Sequence, residues 1–384
     1  MKFFHLSDLH FGKQLHGYDL TELHRDFIKQ LSECAIEENP DAILISGDIY
    51  DKSVPSASAM TLLDELLVAL KGYTVLIIAG NHDSAERLKY GQKFLEENNI
   101  HISVMPPQSE EERLKKVTLY DEFGEVNFYM LPFIKPGMVR TFMPEEASLG
   151  EEAVIKKLLD VEKVDKESRN VILSHQFYVN CGNSPKLCES EQSVAIVGGL
   201  DAVDISVLSD FDYAALGHIH GAQKIGKECF RYCGTPLKYS VSEAGHEKSV
   251  TIVNIKEKGK EPEIRTIPIK HKRDVRKIKG SLKEIIESAD EKVKQDYVSI
   301  TITDEEIPDK VKDMLEGYYD NILEVIIDNI KNRKILEEEI PDLKQMSPYE
   351  SFFAFFNEAA GREMDESEIK LFKDILKEIG EVEE

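Results

Sequence analysis

Five short segments carry side chains suited to holding divalent cations: Ser7-Asp8-Leu9-His10, Gly47-Asp48, Gly80-Asn81-His82-Asp83, Ser174-His175 and Gly217-His218-Ile219-His220. Asp8, His10, Asp48, Asn81, His175, His218 and His220 set imidazoles beside hard oxygen donors, a mixture that suits manganese, iron or zinc better than calcium or magnesium alone. No thiolate belongs to the set. Seven side chains are too many for one ion and about right for two, provided that one carboxylate bridges them. Two ions about 3.5 to 4 Å apart can activate water for attack on a phosphorus whose oxygens they also hold. His82, beside Asn81, is not needed as a ligand. As an imidazole titrating near the working pH, it is expected to stabilise the pentacovalent state or protonate the leaving oxygen. Asp51 is expected to stand behind the ligands and orient a histidine, His82 included.

These segments share a position in the chain: each follows a run of strand length. The run Ala42-Ile43-Leu44-Ile45-Ser46 stops at Gly47 and delivers Asp48 at its carboxyl end, where an open α/β sheet keeps its chemistry. A lone Gly-Asp would read as a helix cap, and a lone His-x-His as coincidence. Repetition at successive strand ends argues instead for one cluster centred on Asp48. Residues 2–7 read as the first strand; residues two apart face one side, so Asp8 and His10 can converge on one ion. Leu23, Phe27, Leu31 and Ala35 mark a helix over 19–39, Pro55 opens another to about Leu70, and 75–79 is a third buried strand. Residues 84–98 are predicted as a further helix capped by Asp83 or Ser84. This alternation predicts parallel βαβ units. Further on, 127–133 and 170–174 read as strands and 145–159 as a helix. Residues 231–232 and 249–253 are expected to help close a second sheet behind the first.

A chain of 384 residues suggests two or three domains, and 41% apolar with 31% charged content is that of a globular protein. No apolar run is long enough to span a bilayer and no signal peptide is apparent, so a cytoplasmic protein is expected. Five cysteines, none in a tight zinc-site pair, fit a reducing compartment. The net charge of -24 repels polyanions and argues against a stand-alone nucleic-acid binder. Residues 270–279 are the exception: Lys272, Arg273, Arg276 and Lys277 read either as a solvated linker or as a phosphate-contacting edge at the entrance to a small α+β domain over 280–332. In the tail, Phe352, Phe353, Phe355 and Phe356 share one helix; Ile369, Phe372, Ile375, Leu376 and Ile379 share a second, with Asp365 and Glu368 placed to cap it. Such a pair either packs on its own core or docks a partner.

Taken in order, Asp8-x-His10, Gly47-Asp48-x-x-Asp51, Gly80-Asn81-His82-Asp83, His175 and Gly217-His218-x-His220 resemble the calcineurin-like metallophosphoesterase signature. Residues 80–88, 234–240 and 248–250 resemble, more narrowly, the bacterial SbcD nuclease-subunit family. The resemblance implies a four-layer α/β/β/α sandwich over 1–269, a small α+β capping domain over 270–340 and a C-terminal helix pair over 341–384. It implies two manganese ions, with magnesium, iron or zinc as alternatives: Asp8, His10, Asp48 and His220 around the first, Asp48, Asn81, His175 and His218 around the second, and His82 as the catalytic histidine. It also implies a homodimer formed through helices within 19–70, and an SbcC-like ATPase partner bound through the tail, with Phe352, Phe353, Phe356 and Phe372 in contact. The activities implied are ATP-dependent double-strand exonuclease and single-strand or hairpin endonuclease, in DNA repair and recombination. The competing readings are a phosphodiesterase for cyclic nucleotides or other small esters, and a non-catalytic interaction scaffold.

Overall fold

The computed structural model describes residues 1–181, 183–191 and 202–329, together with 352, 353, 356, 362, 364, 365 and 367–372. It divides into two units, one comprising Met1–Ile278, Ala289–Ser299 and Glu316–Glu324, the other Lys279–Ser288, Ile300–Leu315 and Val325–Glu384.

The strand Ala42–Ser46 shows how the sequence makes layers. Alternate side chains point to opposite faces of a strand. Ile43 and Ile45 enter a core containing Phe27 and Leu31 of the helix Thr21–Glu38 and Leu62 and Leu66 of the helix Ala57–Ala69. Ala42 and Leu44 enter a different core on the other face. Val75 and Ile77 part from Leu76 and Ile78 in the same way. The first sheet runs Glu263–Pro268, Ser249–Asn254, Lys2–Leu6, Ala42–Ser46, Thr74–Ile78, Ile100–Ser103. Its last four strands are mutually parallel and its first two antiparallel additions.

The second sheet runs Gln223–Ile225, Lys227–Tyr232, Tyr213–Leu216, Arg169–Ser174, Gly124–Leu131, Lys115–Asp121. Its Val126, Phe128, Met130, Val171 and Leu173 share the inter-sheet core with Phe3, Leu44 and Leu76 of the first sheet. Its other face, including Tyr129, Leu131 and Ile172, shares a core with Val154, Ile155 and Leu158 of the helix Glu151–Glu162. The outcome is the α/β class in helix, sheet, sheet, helix order. Polar stitches cross the inter-sheet layer: His5 Nδ1 lies 2.9 Å from the Tyr213 hydroxyl, and Ser46 Oγ donates to the Ala215 carbonyl at 2.8 Å.

Three local expectations are corrected. Ser249–Asn254 belongs to the first sheet, antiparallel to Lys2–Leu6; an apolar strand buried on both faces carries no mark of which sheet it joins. The helix expected over 84–98 is two short ones, Ala85–Leu88 and Gln92–Glu96, and that over 145–159 is Pro144–Leu149 followed by Glu151–Glu162. Each break falls at a glycine with positive φ, Gly91 or Gly150.

In the second unit, Ser281 and Glu284 form a reciprocal capping box on the helix Leu282–Glu287. The described tail residues include Phe352 stacked on Phe372 with ring centroids 4.0 Å apart, and Arg362 5.1 Å from the Phe356 ring. Phe352, Phe353, Phe356 and Phe372 are half-buried. Asp365 accepts from the Glu368 amide and Glu368 from the Asp365 amide, both at 2.9 Å, the capping arrangement read from the sequence. Phe355, Ile375, Leu376 and Ile379 lie outside the described residues. Among the described residues, no helix is long and apolar enough to cross a membrane.

Candidate metal centre

The backbone leaving the central strands is bent into unusual shapes. Asp8, His10, Asp48 and His218 all have positive φ, between 43° and 99°. Such conformations are uncommon for residues with a Cβ, cost on the order of 1–3 kcal/mol each, and cluster at functional sites. They are held by an interlocked set of hydrogen bonds: the Asp8 amide donates to the Gly47 carbonyl at 2.9 Å, the His10 amide to the Asp48 carbonyl at 3.0 Å, and the His218 amide to Asp8 Oδ2 at 3.0 Å. Two glycines make the approach of the sheets possible. A Cβ on Gly217 would overlap the Ser46 carbonyl oxygen, and one on Gly47 would overlap the His175 ring.

At this junction the first sheet contributes Asp8, His10, Asp48 and Asn81, and the second His175, His218 and His220. The seven residues form one connected cluster. Asp48 Oδ2 lies 3.3 Å from His175 Nε2 and 3.7 Å from His10 Nε2. Asn81 Oδ1 lies 3.1 Å from His175 Nε2 and 3.0 Å from His218 Nδ1. The rings of His10 and His220 have centroids 5.2 Å apart. Asp8, His10 and His220 each offer a ligand atom within 4.8 Å of the others, as do Asp8, Asp48 and His175. All but the half-buried Asn81 are buried.

The electrostatics of this cluster are those of a cation site. His10 is 1% exposed, yet neither ring nitrogen has a hydrogen-bond partner, an arrangement that costs about 1–3 kcal/mol unless something else satisfies the ring. Burial pushes the Asp8 carboxyl up and the His10 imidazole well down. Burial also opposes charge on His175, but the Asp48 and Asp8 carboxylates reverse this and raise it to about 9. His218 is pushed down to about 3 by burial and by His175. Two buried carboxylates among imidazoles whose charges conflict, one of them orphaned, fit a divalent cation. His175 is already oriented to serve one, because Nδ1 donates to the Ser46 carbonyl at 2.7 Å, which leaves Nε2 as the nitrogen that would give up its proton to a cation.

Beside this cluster, the His82 amide donates to Asp48 Oδ1 at 2.9 Å and its ring Nδ1 to the Asp51 backbone carbonyl at 2.8 Å. Asp51 thus holds His82 through its main chain; its carboxylate pairs with Lys13 at 2.7 Å and lies 3.8 Å from His10 Nδ1. Neither Asp83 nor Ser84 caps the following helix with its side chain, although Ser84 holds the cap position. Asp83 instead accepts from the amides of Ile49, Tyr50 and Gly80 at 2.9 to 3.1 Å, tying two strand-end loops together, and burial followed by the Asp48 charge pushes its carboxyl up to about 6. Sequence reasoning missed Glu191 and Glu243, buried acids whose carboxylates meet His220. Of the basic run, Lys272 pairs with Asp26 at 2.9 Å and Arg276 with Asp296 at 2.5 Å, so neither spends its charge on the cluster; Arg273 and Lys277 are exposed.

Comparison with known proteins agrees with this geometry. The calcineurin-like phosphoesterase profile matches residues 1–222, and that of the type 5 capsule protein repressor C-terminal domain matches residues 271–359. The chain is 30% identical over 343 residues to the SbcD subunit of the nuclease SbcCD of Staphylococcus epidermidis, covering 86% of this chain and 87% of that protein. Among solved structures, TT1561 of Thermus thermophilus aligns with a TM-score of 0.41 at 13% identity over 70% of this chain and 99% of that one. GAP50, the anchor in the inner membrane complex of Plasmodium, aligns with a TM-score of 0.38 at 12% identity over 70% and 89%. The chain belongs to the calcineurin-like phosphoesterase family, in its SbcD nuclease-subunit branch, and is a metal-dependent phosphodiester hydrolase.

Proposed function

We propose that this chain cleaves DNA phosphodiesters at a centre for two divalent cations, manganese by preference, with Asp8, His10, Asp48 and His220 around one and Asp48, Asn81, His175 and His218 around the other. The observation that carries this reading is the convergence of ligand atoms at the meeting of two sheets: Asp8 with His10 and His220, Asp8 with Asp48 and His175, and His10 with Asp51 and His82, with Asp48 Oδ2 close to both His10 and His175. Cations bound there supply Lewis-acid polarisation of the phosphate and a nucleophilic water at neutral pH. The protein residues supply the rest. Asp48, with one oxygen near both His10 and His175, would be the ligand shared by the two positions. Asp51 fixes the His82 ring through Nδ1, which leaves Nε2 as the nitrogen to donate a proton to the oxygen leaving phosphorus.

Around this centre we place a nuclease domain over 1–269, a capping domain over 270–340, and a helix pair over 341–384 that docks an SbcC-like ATPase. The chain also pairs with a second copy through helices within 19–70. With a net charge of -24, it draws its DNA affinity from the cations, the partner and exposed charges such as Arg273 and Lys277, and that affinity falls steeply with salt. The substrates in this reading are double-strand ends, processed with ATP and the partner, and hairpins or single strands, in DNA repair and recombination.

The test is manganese-dependent cleavage of an end-labelled DNA hairpin. The wild-type chain is expected to cleave it. His82→Asn should lower turnover by about 10²-fold or more, roughly the worth of a general acid, while still binding manganese; loss of the metal instead would make His82 a ligand. Removing residues 348–384 should spare hydrolysis of a small aryl phosphodiester and abolish co-purification with a co-expressed ATPase. Unchanged co-purification rules out docking through the tail.

A further inference from the structure

Three polar atoms of His220 are tied to one buried cluster. Its amide donates to Glu191, its carbonyl accepts from Lys248 Nζ at 3.1 Å, and its ring Nδ1 lies 3.3 Å from Glu243 Oε1. Glu243 is 0% exposed and Lys248 5%, and the two form an ion pair at 2.5 Å. Each ammonium proton of Lys248 has an acceptor: the His220 carbonyl, Thr235 Oγ1 at 2.6 Å and Glu243 Oε2. Glu243 Oε1 also accepts from the Tyr239 amide and from Ser240 Oγ, both at 3.2 Å, so the carboxylate cannot turn away from the ring.

A buried ion pair is a poor source of stability, and its better-attested use is to specify a geometry. Here the geometry is a tautomer. A carboxylate only accepts hydrogen bonds, so Nδ1 of His220 must carry a proton, and the neutral ring that binds a cation has its lone pair on Nε2. Nε2 would then be the nitrogen offered to a cation beside Asp8 and His10. His175 has its Nδ1 fixed by a neutral backbone carbonyl; His220 has it fixed by a charge that Lys248 balances.

We propose that Glu243, clamped by Lys248, is a positioning residue that fixes His220 in the Nδ1–H tautomer and thereby sets the affinity of the cation position containing Asp8 and His10, leaving the position built on Asn81, His175 and His218 untouched. This rests on the two-cation reading above.

The first measurement needs no variant. Long-range 1H–15N spectra of the chelator-treated, 15N-histidine-labelled chain, with His220 assigned by the signal lost in His220→Gln, should show the Nδ1–H form; an Nε2–H form overturns the proposal. The second uses Glu243→Gln with Lys248→Met, a double change that removes both buried charges together. An amide donates as well as accepts, so it no longer selects a tautomer. Manganese calorimetry should then show one of the two binding events weakened about 10- to 100-fold, the usual worth of a group that orients a metal-bound histidine, with the other unchanged and the circular dichroism native. Unchanged affinities, or equal losses at both positions, overturn it. A wild-type chain that takes up fewer than two manganese ions sinks the two-cation reading itself, and is told apart because it appears before any substitution is made.

Discussion

Asp48 is the residue on which the site turns. Its Oδ2 lies near both His10 and His175 while Oδ1 accepts from the His82 amide, so one side chain addresses both halves of the cluster and the acid beside it. Asp48→Asn should therefore weaken both manganese-binding events in calorimetry, whereas His10→Ala should first weaken one. Equal behaviour of the two variants would mean two independent neighbouring sites. At this scale much was legible in the sequence, because Asp8, Asp48, Asn81, His175 and His218 each terminate an apolar run, and a strand end is a place that sequence can mark. Glu243 and Glu191 were not legible. They stand 23 and 29 residues from His220 in single short 3-10 turns, and an acid there looks like any solvated acid until the fold buries it.

At the scale of the element, the two sheets meet where Gly217 faces the Ser46 carbonyl. Gly217→Ala drives a methyl into backbone that is itself bonded to His175 and cannot swing aside. It should cost roughly 2 to 4 kcal/mol in urea unfolding, in the range of strained or overpacked buried substitutions. Gly137→Ala, which meets nothing within 4 Å, should cost little beside it. The strands were readable because alternation such as Ile43 and Ile45 against Ala42 and Leu44 survives even when both faces are apolar. The sheet that Ser249–Asn254 joins was not readable, because pairing is decided by partners hundreds of residues away: Phe3 opposite Val253, Phe4 opposite Ile252. Helix length failed for a related reason, since apolar spacing continues across Gly91 and Gly150 although the backbone does not.

At the scale of the whole molecule, Arg169 is 2% exposed and grips Asp121 with both terminal nitrogens, at 3.0 and 2.5 Å, while also donating to the Lys256 and Gly124 carbonyls at 2.9 Å. Hydrogen bonding from Arg169 holds the Asp121 carboxyl well below the usual carboxylate range. A carboxyl depressed in the folded state contributes stability that is complete above its unfolded value, about 4, and is lost as the pH falls below that toward the folded one. The melting temperatures of wild type and Asp121→Asn should therefore differ by a constant, largest amount above about pH 5 and start to draw together only as the solution is acidified below about pH 4. The site has a further consequence at this scale. Because the first sheet supplies Asp8, Asp48 and Asn81 and the second supplies His175, His218 and His220, any cation held by both sets is a rivet between two layers otherwise joined mainly by apolar contact. Prying the layers apart then requires shedding metal first, which makes the cations part of the barrier to unfolding, and backbone amides in strands such as Ala42–Ser46 and Arg169–Ser174 should exchange with deuterium faster once a chelator has been added.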